Sequence, residues 1–167
     1  SVAMIHANPH ISEKYIINCD LGGPVHFYDR QGKHLYALHA NGQGPQEYYG
    51  IVAFTVDFPK EEFYIYDLRK LQVYSFAGEW KRTLKVPEGM RYENLFNYDE
   101  HHLICENAFH DWWNFENLSI DKTPYYLINK ETGTLTPLPI IVENRISKTM
   151  EKRIEHIDAQ RARRHFE

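Results

Sequence analysis

The chain has 167 residues, enough for one domain with a buried core, and its formal net charge is only −4. This near balance argues against a nucleic-acid partner, and no run of about 18 apolar residues is present that could span a bilayer. Aromatic residues make up 14% of the chain, with 12 Tyr and 9 Phe, and these residues favour strands. The composition therefore predicts an all-β protein without a transmembrane segment.

Two stretches of the chain repeat one pattern. Residues 14–38 read KYIINCDLGGPVHFYDRQGKHLYAL, and residues 62–86 read EFYIYDLRKLQVYSFAGEWKRTLKV. When they are aligned, Ile17 falls on Ile65 and Val25 falls on Val73. Each copy reads as strand, short loop, strand, glycine turn, strand, which indicates an internal structural repeat.

A third copy begins with HHLICEN at 101–107 and resumes after a long insertion with PYYLINKETGTLTPLPI at 124–140. Each copy is preceded by another apolar stretch, which adds a first strand. Four short strands per unit of roughly 45 residues are typical of a β-propeller blade. We therefore predict three four-stranded blades, at about 1–40, 51–86 and 92–140, within a domain that covers residues 1–141.

The two cysteines occupy nearly equivalent positions in the first and third units. A disulfide requires Cα atoms within about 7 Å, whereas a whole blade should separate Cys19 from Cys105. We expect two free, buried thiols.

The stretch EFYIYD at 62–67 has apolar residues at both odd and even positions, so both faces of the strand are apolar. This pattern predicts a middle strand covered on both faces.

The composition changes after Pro139. Residues 142–167 contain no Gly or Pro and place Ile146, Met150, Ile154 and Ile157 on one stripe of a helix. We predict a C-terminal amphipathic α-helix. It could dock on the more acidic body of the chain or remain solvated.

The segment GQGPQEY at 42–48, with IVAFTVDF after it and then the strand pair around EFYIYD, resembles the NHL-like six-bladed β-propeller proteins of Bacteroidetes. It departs from that family at Gln46, where the family usually has Gly. The resemblance implies a periplasmic or cell-surface protein, mostly without assigned activity. The chain begins with Ser and shows no signal segment, so it is either intracellular or, as we expect, already processed.

Three blades are half of a six-bladed ring, and each end of a half ring exposes an apolar blade face. Missing downstream blades, the C-terminal helix, or a second copy in a ring-completing homodimer could cover these faces.

The glycine-rich segment contains no phosphate cradle. Pro45 lacks a backbone donor, and a strand follows where a cradle needs a helix. We interpret the segment as a structural turn in which Gly42 and Gly44 permit positive φ while Glu47 and Tyr48 fix the corner.

The insertion NAFHDWWNFENLSID at 107–121 is the most unusual stretch. Exposed aromatic rings beside Asp and Asn are suited to stacking on a sugar and bonding its hydroxyls. His110, Asp111, Trp112 and Trp113 are therefore the candidate ligand-binding residues. Alternatively, the two tryptophans seal the insertion against a blade.

Nothing in the sequence predicts a cofactor. His101, His102, His110 and Asp111 could ligate a metal, but adjacent residues of a strand point to opposite faces, so we predict no metal site here. No G-x-S-x-G turn offers a nucleophile, and the predicted first strands offer few histidines and carboxylates.

The favoured function is a noncatalytic binding or scaffold module of the bacterial envelope, with a glycan or peptide ligand. Two alternatives remain open. One is a metal-dependent lyase or hydrolase of the propeller type, although the scarcity of catalytic residue types makes us favour a protein that is not an enzyme. The other is a truncated propeller without independent activity.

Overall fold

A computed structural model describes residues 9–20, 23–107 and 125–138. These residues form twelve strands in three antiparallel four-stranded sheets, with no helix among them. The predicted all-β fold with three four-stranded units is confirmed. The predicted helix at 142–167 lies outside the described residues.

Within each sheet, neighbouring strands are consecutive in the sequence. We call the sheets the first, second and third blade. The first blade contains β1 (His10–Ile11), β2 (Ile16–Cys19), β3 (Val25–Tyr28) and β4 (His34–Leu38). The second contains β5 (Ala53–Asp57), β6 (Glu62–Tyr66), β7 (Leu71–Ser75) and β8 (Trp80–Leu84). The third contains β9 (Tyr92–Asn97), β10 (His102–Asn107), β11 (Tyr125–Asn129) and β12 (Leu135–Pro137).

The hairpin between the last two strands of each blade turns at a glycine. Gly32, Gly78 and Gly133 have φ of 81°, 85° and 73°, a conformation that other residues adopt only with strain. The three equivalent turn glycines are the clearest sign of the repeat in the sequence, and the structure places them as predicted.

The blades stack face to face through two apolar cores. Ile17, Phe27 and Phe63 belong to the core between the first and second blades. Tyr66, Leu103 and Ile128 belong to the core between the second and third blades. All five residues of β6 are buried, which confirms the prediction of a middle strand covered on both faces.

Cys19 lies in the first core and Cys105 in the second, and both thiols are free and buried, as predicted. Burial raises the pKa of each thiol to about 12. Neither thiol is a nucleophile near neutral pH, because the reactive form is the thiolate.

The outward faces of the two end blades carry apolar rows. In the first blade Ile11 is 56% exposed and pairs with Ile16 across the sheet. In the third blade Phe96 is 51% exposed and pairs with Ile104, which pairs with Leu127. No other described sheet covers these rows. Among the described residues, no helix is long and apolar enough to cross a bilayer.

Candidate functional site

The strand order places five connections, the three longest of the chain among them, at one edge of the blades. Within the blades these connections are 20–24, 67–70 and 108–124, and between the blades they are 39–52 and 85–91. Because strands alternate in direction within each antiparallel sheet, all five leave from the same end. We call this edge the loop face.

The glycine-rich connection at 39–52 joins the first blade to the second. Tyr48 is buried, and its hydroxyl donates to Gly23 O at 3.1 Å in the first blade. Lys70 Nζ donates to Gly44 O and Pro45 O at 3.0 and 3.1 Å from the second blade. The carbonyl groups of Gly44 and Pro45 are therefore occupied by a side chain of the protein itself.

Glu47 fills the hollow that this connection forms. Its carboxylate accepts a hydrogen bond from the Gly44 backbone N–H at 2.8 Å. A Cβ at Gly42 would collide with the same carboxylate, and one at Gly44 would come within 3.0 Å of it. The expected positive φ is not found at either glycine. Glycine is needed at both positions because no side chain fits beside Glu47. The Glu47 carboxylate itself occupies the place that a phosphate would take.

Gly42→Ala is expected to lower the free energy of unfolding by about 1 kcal/mol, because it displaces the Glu47 carboxylate from its hydrogen bond. In a Glu47→Ala background the same substitution should cost clearly less, since the colliding group is gone. Urea unfolding of the two single variants and the double variant measures this coupling. Equal costs in both backgrounds would contradict the steric explanation.

A buried ion pair joins the second and third blades at the edge opposite the loop face. Lys130 directly follows β11, and its Nζ donates to Asp57 Oδ2 at 2.6 Å. The two side chains are 0% and 3% exposed. Lys130 Nζ also donates to the backbone carbonyl of Asp99. Asp57, a carboxylate at the end of the first strand of its blade, is thus committed to a structural contact.

Glu62 is the centre of a second charged cluster. Arg82 donates to both carboxylate oxygens of Glu62, each at 3.0 Å, and Lys81 Nζ lies 2.7 Å from Oε1. The Tyr64 hydroxyl donates to Oε2 at 2.9 Å. Burial alone would raise the pKa of Glu62, but these hydrogen bonds outweigh it and lower the pKa to about 2. Arg82 Nε also donates to Lys130 O, which links the two clusters.

The histidines considered for a metal do not converge in the described chain. His102 Nδ1 lies 3.1 Å from Asp99 Oδ1, which also accepts the backbone N–H groups of His101 and His102. This is a local turn. His10 packs edge-on against Phe54, and burial lowers its pKa. No group of three or more His, Cys, Asp or Glu side chains among the described residues could hold a metal ion.

The predicted ligand-binding residues His110, Asp111, Trp112 and Trp113 lie outside the described residues. Their flanking strands are described: β10 ends at Asn107 and β11 begins at Tyr125, both at the loop face. The charged clusters around Asp57 and Glu62 were missed from the sequence. The sequence does place a charged residue within or beside each of these buried strands. A buried charge needs a partner, and this was the feature from which the clusters could have been predicted.

The chain matches the model of a known family. The model of the DUF5128 family, described as a 6-bladed beta-propeller, matches residues 9–155. No curated protein matches the chain.

Two similar solved structures come from Bacteroides. A candidate exported protein from Bacteroides fragilis is 14% identical with a TM-score of 0.61, covering 86% of this chain and 40% of that chain. A member of the DUF4221 family from Bacteroides vulgatus is 10% identical with a TM-score of 0.60, covering 84% of this chain and 45% of that chain. At these identities the likeness establishes the fold alone. The chain spans less than half the length of either structure.

Proposed function

The chain belongs to the DUF5128 family of six-bladed β-propellers, and from this membership we propose that it is a noncatalytic recognition module of the bacterial envelope. Within the propellers we place it beside the NHL-like proteins of Bacteroidetes, on the residues GQGPQEY and the strands after them. The ligand is a glycan or a peptide, and we favour a glycan.

The observation that carries this proposal is the length of one connection. The first and second blades join their second and third strands through short loops, at 20–24 and 67–70. The third blade uses 108–124 at the equivalent place. Long connections in compact domains usually carry function, since a plain hairpin would suffice to join the strands.

The residue types in the insertion favour a sugar ligand. Trp112 and Trp113 supply flat apolar faces that match the C–H faces of a pyranose, and His110 and Asp111 supply hydrogen-bonding groups beside them. A peptide would use the same aromatic surface without requiring the carboxylate.

Two buried acids of the second blade are committed to the fold. Asp57 is paired with Lys130, and Glu62 is held by Arg82. Both thiols are buried with pKa values of about 12. These commitments support binding rather than catalysis for the described part of the chain.

The location in the envelope, periplasmic or at the cell surface, is supported by the similar structure from a candidate exported protein of Bacteroides fragilis. In the functional protein, further blades cover the two apolar end rows. They come either from additional sequence of the same polypeptide or from a second copy of this chain.

A glycan array and a peptide array probed with the wild-type chain and the Trp112→Ala, Trp113→Ala double variant test the proposal. We expect wild-type binding to a set of glycans and a loss of at least tenfold in the double variant, because each stacked ring contributes on the order of 1 kcal/mol.

Trp80→Phe is the matched control, since Trp80 is 37% exposed but begins β8 at the edge opposite the loop face. Its binding should equal that of the wild type. Unchanged binding in the double variant would remove the insertion from the ligand site, and binding to peptides alone would replace the glycan assignment.

A further inference from the structure

An exposed aromatic ring stands on a fixed stretch of backbone at the loop face. Tyr49 follows the buried Tyr48 in the connection between the first and second blades, and its own side chain is 70% exposed. Its backbone N–H donates to Asp67 Oδ2 at 3.3 Å, and the Val52 N–H donates to Tyr66 O at 2.8 Å. The segment that carries Tyr49 is therefore held against the end of β6. A fixed backbone with an exposed ring is the arrangement of a preorganised binding surface.

Leu68 lies next to this segment and presents a second exposed apolar side chain. It is 52% exposed and has a φ of 75°, a left-handed conformation that a leucine adopts only with strain. Asp67 Oδ1 accepts the backbone N–H groups of Arg69 and Lys70, each at 3.0 Å, and keeps the turn in this shape. Glycine or asparagine would fit the turn with less strain. Contact with a ligand therefore explains a leucine at this position better than the fold does.

Two arginines accompany these apolar side chains. Arg69 directly follows Leu68 and is exposed. Arg91 is exposed in the connection that leads to the third blade, and its backbone N–H donates to Asn107 Oδ1 at 2.9 Å. Neither guanidinium group makes an ion pair with another described residue. Both positive charges are therefore open to a ligand.

The Tyr66 hydroxyl places Arg91 beside the other three residues. This hydroxyl donates to Leu68 O at 3.4 Å. Burial raises the pKa of Tyr66, and the positive charge of Arg91 acts in the opposite direction. Such an interaction fades with distance, so the guanidinium group lies near the same hydroxyl. Tyr49, Leu68, Arg69 and Arg91 therefore cluster around the end of β6, and we call these four residues the Tyr49 surface.

The connections around this surface are basic, in contrast to the chain as a whole. Residues 67–70 and 85–91 contain four basic and two acidic side chains, whereas the chain has a net charge of −4. One of the two acids, Asp67, already accepts three backbone N–H groups. Glu47 of the neighbouring connection is turned onto the Gly44 N–H. The charges that remain to meet a ligand are therefore mainly positive, which favours an anionic ligand.

We propose that the Tyr49 surface binds an acidic glycan, with the Tyr49 ring stacked on a sugar and the two arginines paired with the carboxylate of a uronic or sialic acid. A guanidinium group matches a planar carboxylate through two parallel hydrogen bonds. A neutral glycan would use the ring and leave both guanidinium groups without a counter-charge. This inference rests on the proposed recognition of a glycan and names the chemical class of that glycan. All four residues lie at the loop face, away from the end faces that further blades cover.

Isothermal titration of the full chain with oligogalacturonate, hyaluronan oligosaccharide and sialyllactose, each compared with its methyl ester, tests the class of ligand. We expect at least one of these acids to bind about tenfold more tightly than its ester, because esterification removes the charge and keeps the sugar ring. The comparison uses the unmutated protein, so it does not depend on how a variant folds.

Variants then assign the contacts, with the acid that binds best as the probe. Arg69→Gln combined with Arg91→Gln should weaken the acid about tenfold and leave the ester unchanged. Arg30→Gln is the matched control, since Arg30 is an exposed arginine between β3 and β4 at the opposite edge. Tyr49→Ala should weaken the acid and the ester alike, by about fivefold. Tyr98→Ala removes a 61% exposed ring at the opposite edge and should change neither.

Leu68→Asn separates a binding role from a structural one. Asparagine adopts the left-handed conformation more readily, so the urea midpoint should not fall, whereas binding of the acid should weaken. A lower midpoint with unchanged binding would remove Leu68 from the surface.

The same titrations distinguish this inference from the proposed function. Equal binding of acids and esters, or unchanged binding of the acid by the double arginine variant, would overturn the acidic ligand while glycan recognition stands. If the wild type bound no glycan, neutral or acidic, the proposed function would fail together with this inference.

Discussion

Replacing Lys130 with Met is expected to lower the free energy of unfolding by about 3–5 kcal/mol. The substitution keeps a long unbranched side chain but removes the ammonium group that donates to Asp57 at 2.6 Å. Asp57 is 3% exposed, so its carboxylate would lose its charge partner without gaining water. The penalty arises from that uncompensated buried charge.

Urea unfolding followed by tyrosine fluorescence or circular dichroism measures the loss. Lys60→Met is the matched control, because Lys60 pairs at 3.8 Å with Glu131, whose side chain is 65% exposed. That surface pair should contribute less than about 1 kcal/mol. If the free energy of unfolding fell by the same small amount in both variants, the buried pair would not be a significant link between the second and third blades.

Acid is expected to destabilise the wild type more than a Glu62→Gln variant, by about 3 kcal/mol between pH 5 and pH 2. The pKa of Glu62 is about 2 in the folded chain, below the 4.5 of a free carboxyl, so its contribution is complete above about pH 4.5. That contribution is lost as the pH falls towards 2, because the unfolded chain then binds the proton first. The amide that replaces the carboxylate in the variant does not titrate in this range.

The free energies of unfolding at pH 5 and near pH 2 give the difference directly. Glu61→Gln is the matched control, since Glu61 is the exposed sequence neighbour of Glu62. Its stability should fall with acid as steeply as that of the wild type. A parallel fall in wild type and Glu62→Gln would mean that Arg82 does not hold the carboxylate in its charged form.

The blades could be predicted because their physical causes are local in the sequence. The hairpin between the last two strands of each blade needs a glycine with positive φ at its turn, and Gly32, Gly78 and Gly133 recur at that position. The middle strand EFYIY is buried on both faces and therefore has apolar residues at both odd and even positions. The same alignment placed Cys19 and Cys105 in two different cores.

The charged contacts between blades could not be predicted because their partners are distant in the chain. Lys130 and Asp57 are 73 positions apart, and Arg82 and the Lys130 carbonyl that it contacts are 48 apart. Pairing across a blade seam depends on how two sheets stack, and no spacing in the sequence encodes that arrangement.

The role of the glycines in the 39–52 connection was predicted wrongly for a different reason. A glycine is selected either for positive φ or for the space that a Cβ would fill, and the sequence looks the same in both cases. At Gly42 and Gly44 the space is needed, because the carboxylate of Glu47 occupies it.

Every sheet is built from strands that are consecutive in the chain. The hydrogen bonds of one blade are therefore complete once its own segment has left the ribosome, without residues from further along. We therefore expect Phe63 of β6 and Phe76, which directly follows β7, to cover the apolar side of the first blade as soon as they are synthesised, before that side can associate with other newly made chains. The order of synthesis thus matches the order in which the two seams close.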